Sequence, residues 1–318
     1  MSGTNDSTDD GTTTRAGFCA IIGRPNVGKS TLLNCFLGEK LATVTPKPQT
    51  TRNRILGVKN VPGAQIVFLD TPGVHRGKSE LNRYMVEEAF RAMSEVDVVM
   101  VMVEVPQVAG EDLVAKPFDP GPGNQLIIDK LAEVKRPAVL VLNKVDRLPN
   151  KNTLLPLIDG WRKLHAFADM IPISARDGDG VDAALAAVVP LLPPGPPLFP
   201  TEMLTDRAER FLAAELIREQ VFLLLKEEVP YATAVSIEGW AEREPRAEVR
   251  IDALIHVERD SQKGIVIGRG GAMIKEIGTR ARAEIGKLLG CPVHLKLFVK
   301  VDPDWSHNPS ALKRLGYE

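Results

Sequence analysis

The stretch Gly23-Arg24-Pro25-Asn26-Val27-Gly28-Lys29-Ser30-Thr31 leaves this chain fewer folding options than any other. It follows the apolar run Phe18-Cys19-Ala20-Ile21-Ile22 and precedes Leu32-Leu33-Asn34-Cys35-Phe36-Leu37. The spacing predicts a buried strand, a glycine-bounded turn and a helix. The turn fits G-x-x-x-x-G-K-[ST], a loop whose backbone N–H groups converge on a phosphate chain at a helix N-terminus. In that pattern Lys29 reaches the β- and γ-phosphates, and the Ser30 hydroxyl ligates Mg²⁺.

Such a unit needs a parallel sheet around it. Ile55-Leu56-Gly57-Val58 and Gln65-Ile66-Val67-Phe68-Leu69 read as strands joined by a turn at Pro62-Gly63, the second ending at Asp70-Thr71-Pro72-Gly73. A helix is expected from 79 to about 93, then strands over 96–105, 138–142 and 170–173. The last two end at Asn143-Lys144-Val145-Asp146 and Ser174-Ala175. Apolar strands that end in polar motifs and run on into helices make a mostly parallel, doubly wound α/β sheet, with ligands at the strands' carboxyl ends. Residues 104–124, rich in Pro and Gly, read as an enlarged surface loop with no assigned chemistry.

These motifs select a nucleotide. Asp70 can hold a Mg²⁺ shell, usually through water, and the Gly73 N–H can sense a γ-phosphate. An ionised Asp146 only accepts hydrogen bonds, so it suits the N1 and N2 donors of guanine and rejects adenine, which offers no such pair. GTP and GDP are the expected ligands. The Lys144 stem covers the base, Asn143 ties its loop to the phosphate loop, and Ser174-Ala175 supports the base through backbone contacts. Within Gln49-Thr50-Thr51-Arg52, one hydroxyl should meet Mg²⁺ when a γ-phosphate is present; Thr51 is favoured and Thr50 stays open. This segment and 71–91 are the candidate switches. Lys29 and Thr51 are the expected catalytic residues, and Ser30, Thr51 and Asp70 the metal set. Val74 stands where a water-positioning glutamine often follows D-x-x-G, and it cannot hydrogen-bond water. Slow hydrolysis is expected unless another group, a monovalent cation or a partner assists. His75 is a substitute or an ordinary loop histidine.

The run 190–200, PLLPPGPPLFP, cannot continue a helix or strand. It divides the chain into a polar disordered tail at 1–16, a nucleotide domain at 17–192, a linker at 193–205 and a second domain at 206–318. At 318 residues both domains can bury a core. The second has helical spacing over 206–227, alternating strands over 232–240 and 247–257, a helix–loop–helix around Gly268 and a strand over 293–301. Its loop, Val266-Ile267-Gly268-Arg269-Gly270-Gly271-Ala272-Met273-Ile274, fits V-I-G-x-x-G-x-x-I, the signature of a KH domain. Gly268 and Gly271 let it approach a sugar-phosphate backbone; Ile267, Arg269, Gly270, Lys275 and Arg280 complete the expected RNA-binding set. Val266, Ile274 and Ile277 build core and groove. The α-β-β-α-α-β order is that of the α+β, type II KH fold.

Between 260 and 300 there are eight Lys/Arg and three acidic residues, a local +5 in a chain of net charge −1. A nucleic-acid surface is therefore a patch and not a property of the whole. Aromatics are sparse, so backbone clamping and edge contacts carry the affinity. Trp305 either adds a stacking surface or packs inside. Cys19, Cys35 and Cys291 lack the spacing of a disulfide or zinc framework, and Cys291 with His294 has no second half. No metal cluster and a reducing cytosol are expected. No apolar run approaches the roughly 18 residues of a membrane span, and a monomer is expected.

Together GRPNVGKST, PQTTR, DTPG, NKVD and SA, followed by VIGRGGAMI and a terminal LKRLGYE, resemble the bacterial Era GTPases over 17–318. The polar tail and the 104–124 loop depart from the family pattern. The resemblance implies a P-loop GTPase domain followed by the KH domain, with the 3′ end of 16S rRNA as ligand. It implies a role in 30S subunit assembly, in the cytoplasm with a fraction peripheral to the inner membrane. It makes Asn26 a candidate ligand for an activating K⁺, and it couples RNA binding to hydrolysis, reciprocally in binding energy. Two other readings fit the residues: an RNA-binding chaperone with a static GTP site, and a membrane-associated cell-division switch whose basic face meets lipid.

Overall fold

β1 (Arg15–Gly23) lies inside a six-stranded sheet in this computed structural model, which describes residues 14–75, 79–106, 118–148, 150–243 and 248–317. Cys19 and Ile21 face one side of that sheet, Ala20 and Ile22 the other, all fully buried. Both faces of a mostly parallel sheet must be covered, and helices cover them here. α1 (Lys29–Leu37), β2 (Ile55–Val61), β3 (Ala64–Asp70), α2 (Glu80–Glu95) and β4 (Val98–Glu104) follow β1. Next come α3 (Pro122–Val134), β5 (Ala138–Asn143), α4 (Leu154–Leu164), β6 (Asp169–Ile173) and α5 (Val181–Val188). Strand order is β2-β3-β1-β4-β5-β6, with every pair parallel except β2/β3. α1 and α5 cover one face through Leu32, Phe36, Ala184 and Val188. α2, α3 and α4 cover the other through Ala89, Met93, Ile127, Leu131 and Trp161. The strand order reverses at β1, between β3 and β4, and its carboxyl end is the switch point where ligands bind.

Three boundaries differ from the sequence reading. Residues 1–13 of the expected tail lie outside the described residues, but Arg15 and Ala16 belong to β1, where Arg15 N donates to Gly63 O at 3.0 Å. In the 104–124 loop, Glu104 still belongs to β4 and α3 already starts at Pro122, a residue suited to the first helical turn because it has no N–H to satisfy. Phe118 in that connection packs edge-on against Trp161, with centroids 5.2 Å apart; 107–117 lie outside the described residues. The Pro-rich linker is not a free spacer. Leu198 N and Phe199 N donate to the buried Gln65 Oε1 at 2.7 and 2.9 Å, and Val58 N donates to Leu204 O at 2.8 Å. It straps the antiparallel edge of the sheet, covering strand backbone that water or another chain would otherwise meet.

Beyond it run α6 (Glu209–Leu224), β7 (Ala234–Arg243), β8 (Glu248–Val257), α7 (Asp260–Ile267), α8 (Ala272–Leu289), β9 (Val293–Val301) and α9 (Pro309–Arg314). The sheet order is β7-β8-β9, with β7/β8 antiparallel and β8/β9 parallel. Every second residue of β8 from Val249 to Val257 is buried against Ile217 and Val221 of α6, Val266 of α7, and Ile277, Ala281 and Ile285 of α8. The α-β-β-α-α-β order is as predicted.

Trp305 is fully buried. Its Nε1 donates to Ala232 O at 2.9 Å, its ring stacks on Tyr317 at 5.9 Å, and the cluster reaches Leu81 and Tyr84 of α2. It is a packing tryptophan and offers RNA no stacking face. Trp305→Ala is expected to destabilise the chain by ~3–5 kcal/mol, measured as a fall in the denaturant midpoint of KH-domain unfolding.

Candidate nucleotide and RNA sites

The ends of β1, β3, β5 and β6 meet around one cleft of about 370 Å³. Asn26, Lys29, Ser30, Thr51 and Gly73 line the end expected to take phosphates, and Asn143, Lys144, Asp146 and Ala175 the end expected to take a base. Gly28 has φ +107°, and a Cβ there would lie 2.3 Å from the Asn143 amide, so no side chain fits. That crowding exists because Asn143 Nδ2 donates to Val27 O at 2.7 Å while its Oδ1 accepts from Ala175 N at 2.9 Å. One buried amide thus locks three loops together.

The phosphate end is electrostatically tense. Lys29 is buried, its Nζ donating to the carbonyls of Gly23 and Arg24 at 3.2 and 3.1 Å. Desolvation pulls its pKa down to about 8, and the nearby Asp70 partly offsets this. Burial likewise pushes Asp70 above the usual carboxylate range, against the opposing pull of Lys29, Ser30 and Thr51. Ser30 Oγ donates to Asp70 Oδ2 at 2.6 Å and lies 2.9 Å from Thr51 Oγ1, which is 3.4 Å from the same carboxylate. The Thr50 hydroxyl points elsewhere, donating to Lys47 O at 3.0 Å. Asp70 Oδ1 is buried with no partner among the described residues.

Gly23, Arg24, Val27, Asp70, Thr71, Pro72, Val74, Val145 and Ser174 stand outside the cleft's lining. Several of them act from behind it. Thr71 Oγ1 donates to Ile21 O at 2.9 Å, and Val74 N to Gly23 O at 3.0 Å, which clamps the Asp70–Gly73 turn to the phosphate loop. Ser174 Oγ donates to Asp146 Oδ1 at 2.9 Å. Lys144 is left-handed (φ 68°) and its Nζ pairs with Glu104. His75 has both ring nitrogens engaged: Nδ1 lies 3.0 Å from Gly73 O, and Nε2 lies 2.9 Å from Gln49 and 3.1 Å from Asn82. Arg176 was missed by sequence reasoning. Its Nη2 lies 3.0 Å from Asp146 Oδ2, and its only sequence signal is that it follows Ser174-Ala175.

In the second domain, α7 ends where Gly268 N donates to Gly264 O at 2.9 Å, and α8 follows the short turn at 269–271 with Gly271 as its N-cap. Arg269 and Gly270 are exposed at the tip, Lys275 is exposed on the first turns of α8, and Ile267 is half-buried beside them. The N–H groups of that first turn and the helix dipole favour an anion here. Val266 and Ile277 are fully buried and belong to the core; Ile274 is half-buried. Arg280 sits about two turns along α8 and pairs with Glu276 at 2.7 Å, which ties up its charge away from the loop.

A family model described as 50S ribosome-binding GTPase matches residues 18–144, and a KH domain model matches 228–306. GTPase Era of Geobacter metallireducens is 54% identical over 303 residues, covering 95% of this chain and 98% of that one. GTPase Era of Lacticaseibacillus paracasei is 49% identical over 95% of this chain and 96% of its own length. Among solved structures, a single-residue variant of Aquifex aeolicus Era bound to GDP·AlF4⁻ superposes with a TM-score of 0.88 at 41% identity, over 96% of this chain and 99% of that one. Era in complex with MgGDPNP and nucleotides 1506–1542 of 16S ribosomal RNA gives 0.88 at 40%, with the same coverage. With both domains matched in order and relatives this similar along almost its whole length, the chain belongs to the Era family and is a GTPase.

Proposed function

We propose that this GTPase is a switch that binds the 3′ end of 16S rRNA through its 268–271 loop and acts in assembly of the 30S subunit. One observation carries the reading: Ser30, Thr51 and Asp70 converge under the phosphate loop, with Asp146 at the other end of the cleft, on a chain that also presents the GxxG loop. The relative solved with MgGDPNP and 16S rRNA nucleotides supports both ligands. In this reading the nucleotide domain is 15–192, from the start of β1, the linker 193–205 and the RNA domain 206–318.

The orphaned Asp70 Oδ1 and the two hydroxyls form an oxygen-only donor set that fits Mg²⁺. When bound, that ion neutralises charge on the β- and γ-phosphate oxygens. Lys29 turns from its carbonyl partners to the same phosphates, whose charge returns its pKa towards the ordinary lysine value. Ser30 and Thr51 would hold the metal through their hydroxyl oxygens, and the Gly73 N–H would meet the γ-phosphate. Asp146 takes the guanine N1 and N2 donors while Ser174 and Arg176 hold its carboxylate. Val74 is buried and apolar, and His75 is committed to Gly73, Gln49 and Asn82, so neither positions the attacking water. Intrinsic turnover is therefore slow, and RNA or a K⁺ held with help from Asn26 accelerates it. A peripheral inner-membrane fraction belongs to the same proposal; no described helix is long and apolar enough to cross a membrane.

The test is GTP turnover with and without an RNA copying the 3′ end of 16S rRNA, in K⁺ and in Na⁺. RNA should raise kcat at least several-fold, and K⁺ should exceed Na⁺. Equal rates in all four conditions would refute the switch.

A further inference from the structure

The segment 44–53, which contains the candidate switch 49–52 and precedes β2, is threaded into the KH half of the molecule. Val44 N donates to Glu219 Oε1 at 2.9 Å, Lys47 Nζ donates to the carbonyls of Phe222 and Leu225 at the end of α6, and Arg218 donates to Thr50 O. Asn53 Nδ2 donates to Gly316 O at 3.2 Å. At the centre is Arg52, the residue after Thr51, with no exposed surface. Its Nη1 donates to Thr233 O at 2.7 Å and reaches Tyr317 Oη at 3.3 Å, and its Nη2 donates to Tyr231 O at 2.9 Å. The rings of Trp305, Phe222 and Tyr317 lie 5.5, 5.8 and 5.9 Å from its Cζ.

A buried guanidinium is costly unless its donors are met. Here carbonyls and a phenol meet both terminal nitrogens and aromatic faces surround the fork, while Nε has no hydrogen-bond partner among the described residues. Every group that meets it, except Phe222, lies in the 230–233 loop or the C-terminal segment. A planar fork gripped in this way fixes direction as well as position, so the backbone at 52 has little freedom. Thr51 inherits that constraint through one peptide bond.

We infer that Arg52 is a positioning residue for GTP hydrolysis: held by the 230–233 loop, Trp305 and Tyr317, it keeps Thr51 against Ser30 and Asp70, so the docked KH domain and C-terminal segment complete the GTP site. This rests on the reading of Thr51 as the hydroxyl that joins the metal when a γ-phosphate is present. Because Thr51 has no such role with GDP, loss of Arg52 must act on GTP turnover and spare GDP affinity.

The test uses the full chain carrying Arg52→Met, Arg52→Lys or Thr51→Ala. For each, kcat and KM for GTP are measured across a Mg²⁺ titration, and Kd for a fluorescent GDP is measured beside them. Arg52→Met keeps the packed stem and removes every donor. Its kcat should fall roughly tenfold, within the range of typical coupling between sites, with more Mg²⁺ needed for half-maximal turnover and GDP affinity unchanged. Arg52→Lys should recover only part, because an ammonium cannot reproduce the fork. Wild-type kcat in Arg52→Met, beside an impaired Thr51→Ala, overturns the positioning role alone. Loss of GDP binding together with turnover also overturns it, since Arg52 would then serve the fold in general. A normal Mg²⁺ dependence in Thr51→Ala overturns the reading of Thr51 and this inference with it.

Discussion

Asp146→Asn is expected to weaken GTP binding by more than about 10³-fold and to make xanthosine triphosphate the preferred nucleotide, because a site built for a hydrogen-bond pattern rejects one that leaves its polar groups unpaired. The wild-type carboxylate is well anchored, with Ser174 Oγ at 2.9 Å on one oxygen and Arg176 Nη2 at 3.0 Å on the other. It can only accept, and guanine presents two donors on that edge. Asparagine replaces one acceptor with an NH₂ donor. That donor opposes the guanine N2 amine but suits the carbonyl that xanthine carries in its place. Competition binding with GTP, XTP and ATP reads the outcome directly. GTP affinity close to that of wild type would mean that Asp146 does not read the base.

The second large effect concerns the RNA loop, and the structure decides which residues to change. Gly268 has φ 73° and ψ 172°, a region essentially closed to side chains, and a Cβ there would lie 2.6 Å from Met273 Cβ. Substitution at Gly268 would therefore mix folding damage with lost binding. Gly270, at φ 59° and ψ 23°, is in the left-handed region that Asp tolerates, and a Cβ there meets nothing within 4 Å. The pair Arg269→Asp and Gly270→Asp removes one positive charge and adds two negative ones at the exposed tip. Affinity for a 16S rRNA 3′-end fragment should fall by at least about 100-fold at low salt, with the fold kept and at most about 1–2 kcal/mol of stability lost to the left-handed Asp. Binding that survives the double substitution would move the RNA site off this loop.

Both predictions rest on features legible from sequence, and the reason is that each is local. A phosphate loop, a strand-end Asp70-Thr71-Pro72-Gly73, an Asn143-Lys144-Val145-Asp146 turn and a GxxG between helices each need particular residues close together in the chain. Backbone angles and hydrogen-bonding groups dictate those residues wherever the unit sits. The strands read equally well, since burial on both faces makes a continuous apolar run, as in β4 and β5. Sequence favours Thr51 over Thr50 without separating them fully; the fold sends the Thr50 hydroxyl to Lys47 O and the Thr51 hydroxyl to Ser30 and Asp70.

What lay beyond local reading depends on partners far along the chain. Glu215, Arg218, Glu219 and Gln220 of α6 have the composition of a solvated face, yet all are buried. Their other side is occupied by the 44–53 segment, through Val44 N on Glu219 and Thr50 O on Arg218. The Pro-rich run has the composition of a spacer and is a strap, because Gln65 supplies an acceptor to Leu198 N and Phe199 N that no local pattern announces. Trp305 has two equal readings until Ala232 O and Tyr317 enclose it. Short-range backbone geometry and periodic burial were therefore enough to read both folds, and the residues gathered at the candidate nucleotide cleft and the GxxG loop, from the sequence itself. The link between the two halves at Arg52 needed the folded chain. A cation can be buried only where its donors are met, and the carbonyls and rings that meet Arg52 come from Phe222, 230–233, Trp305 and Tyr317, the last of them 265 residues away.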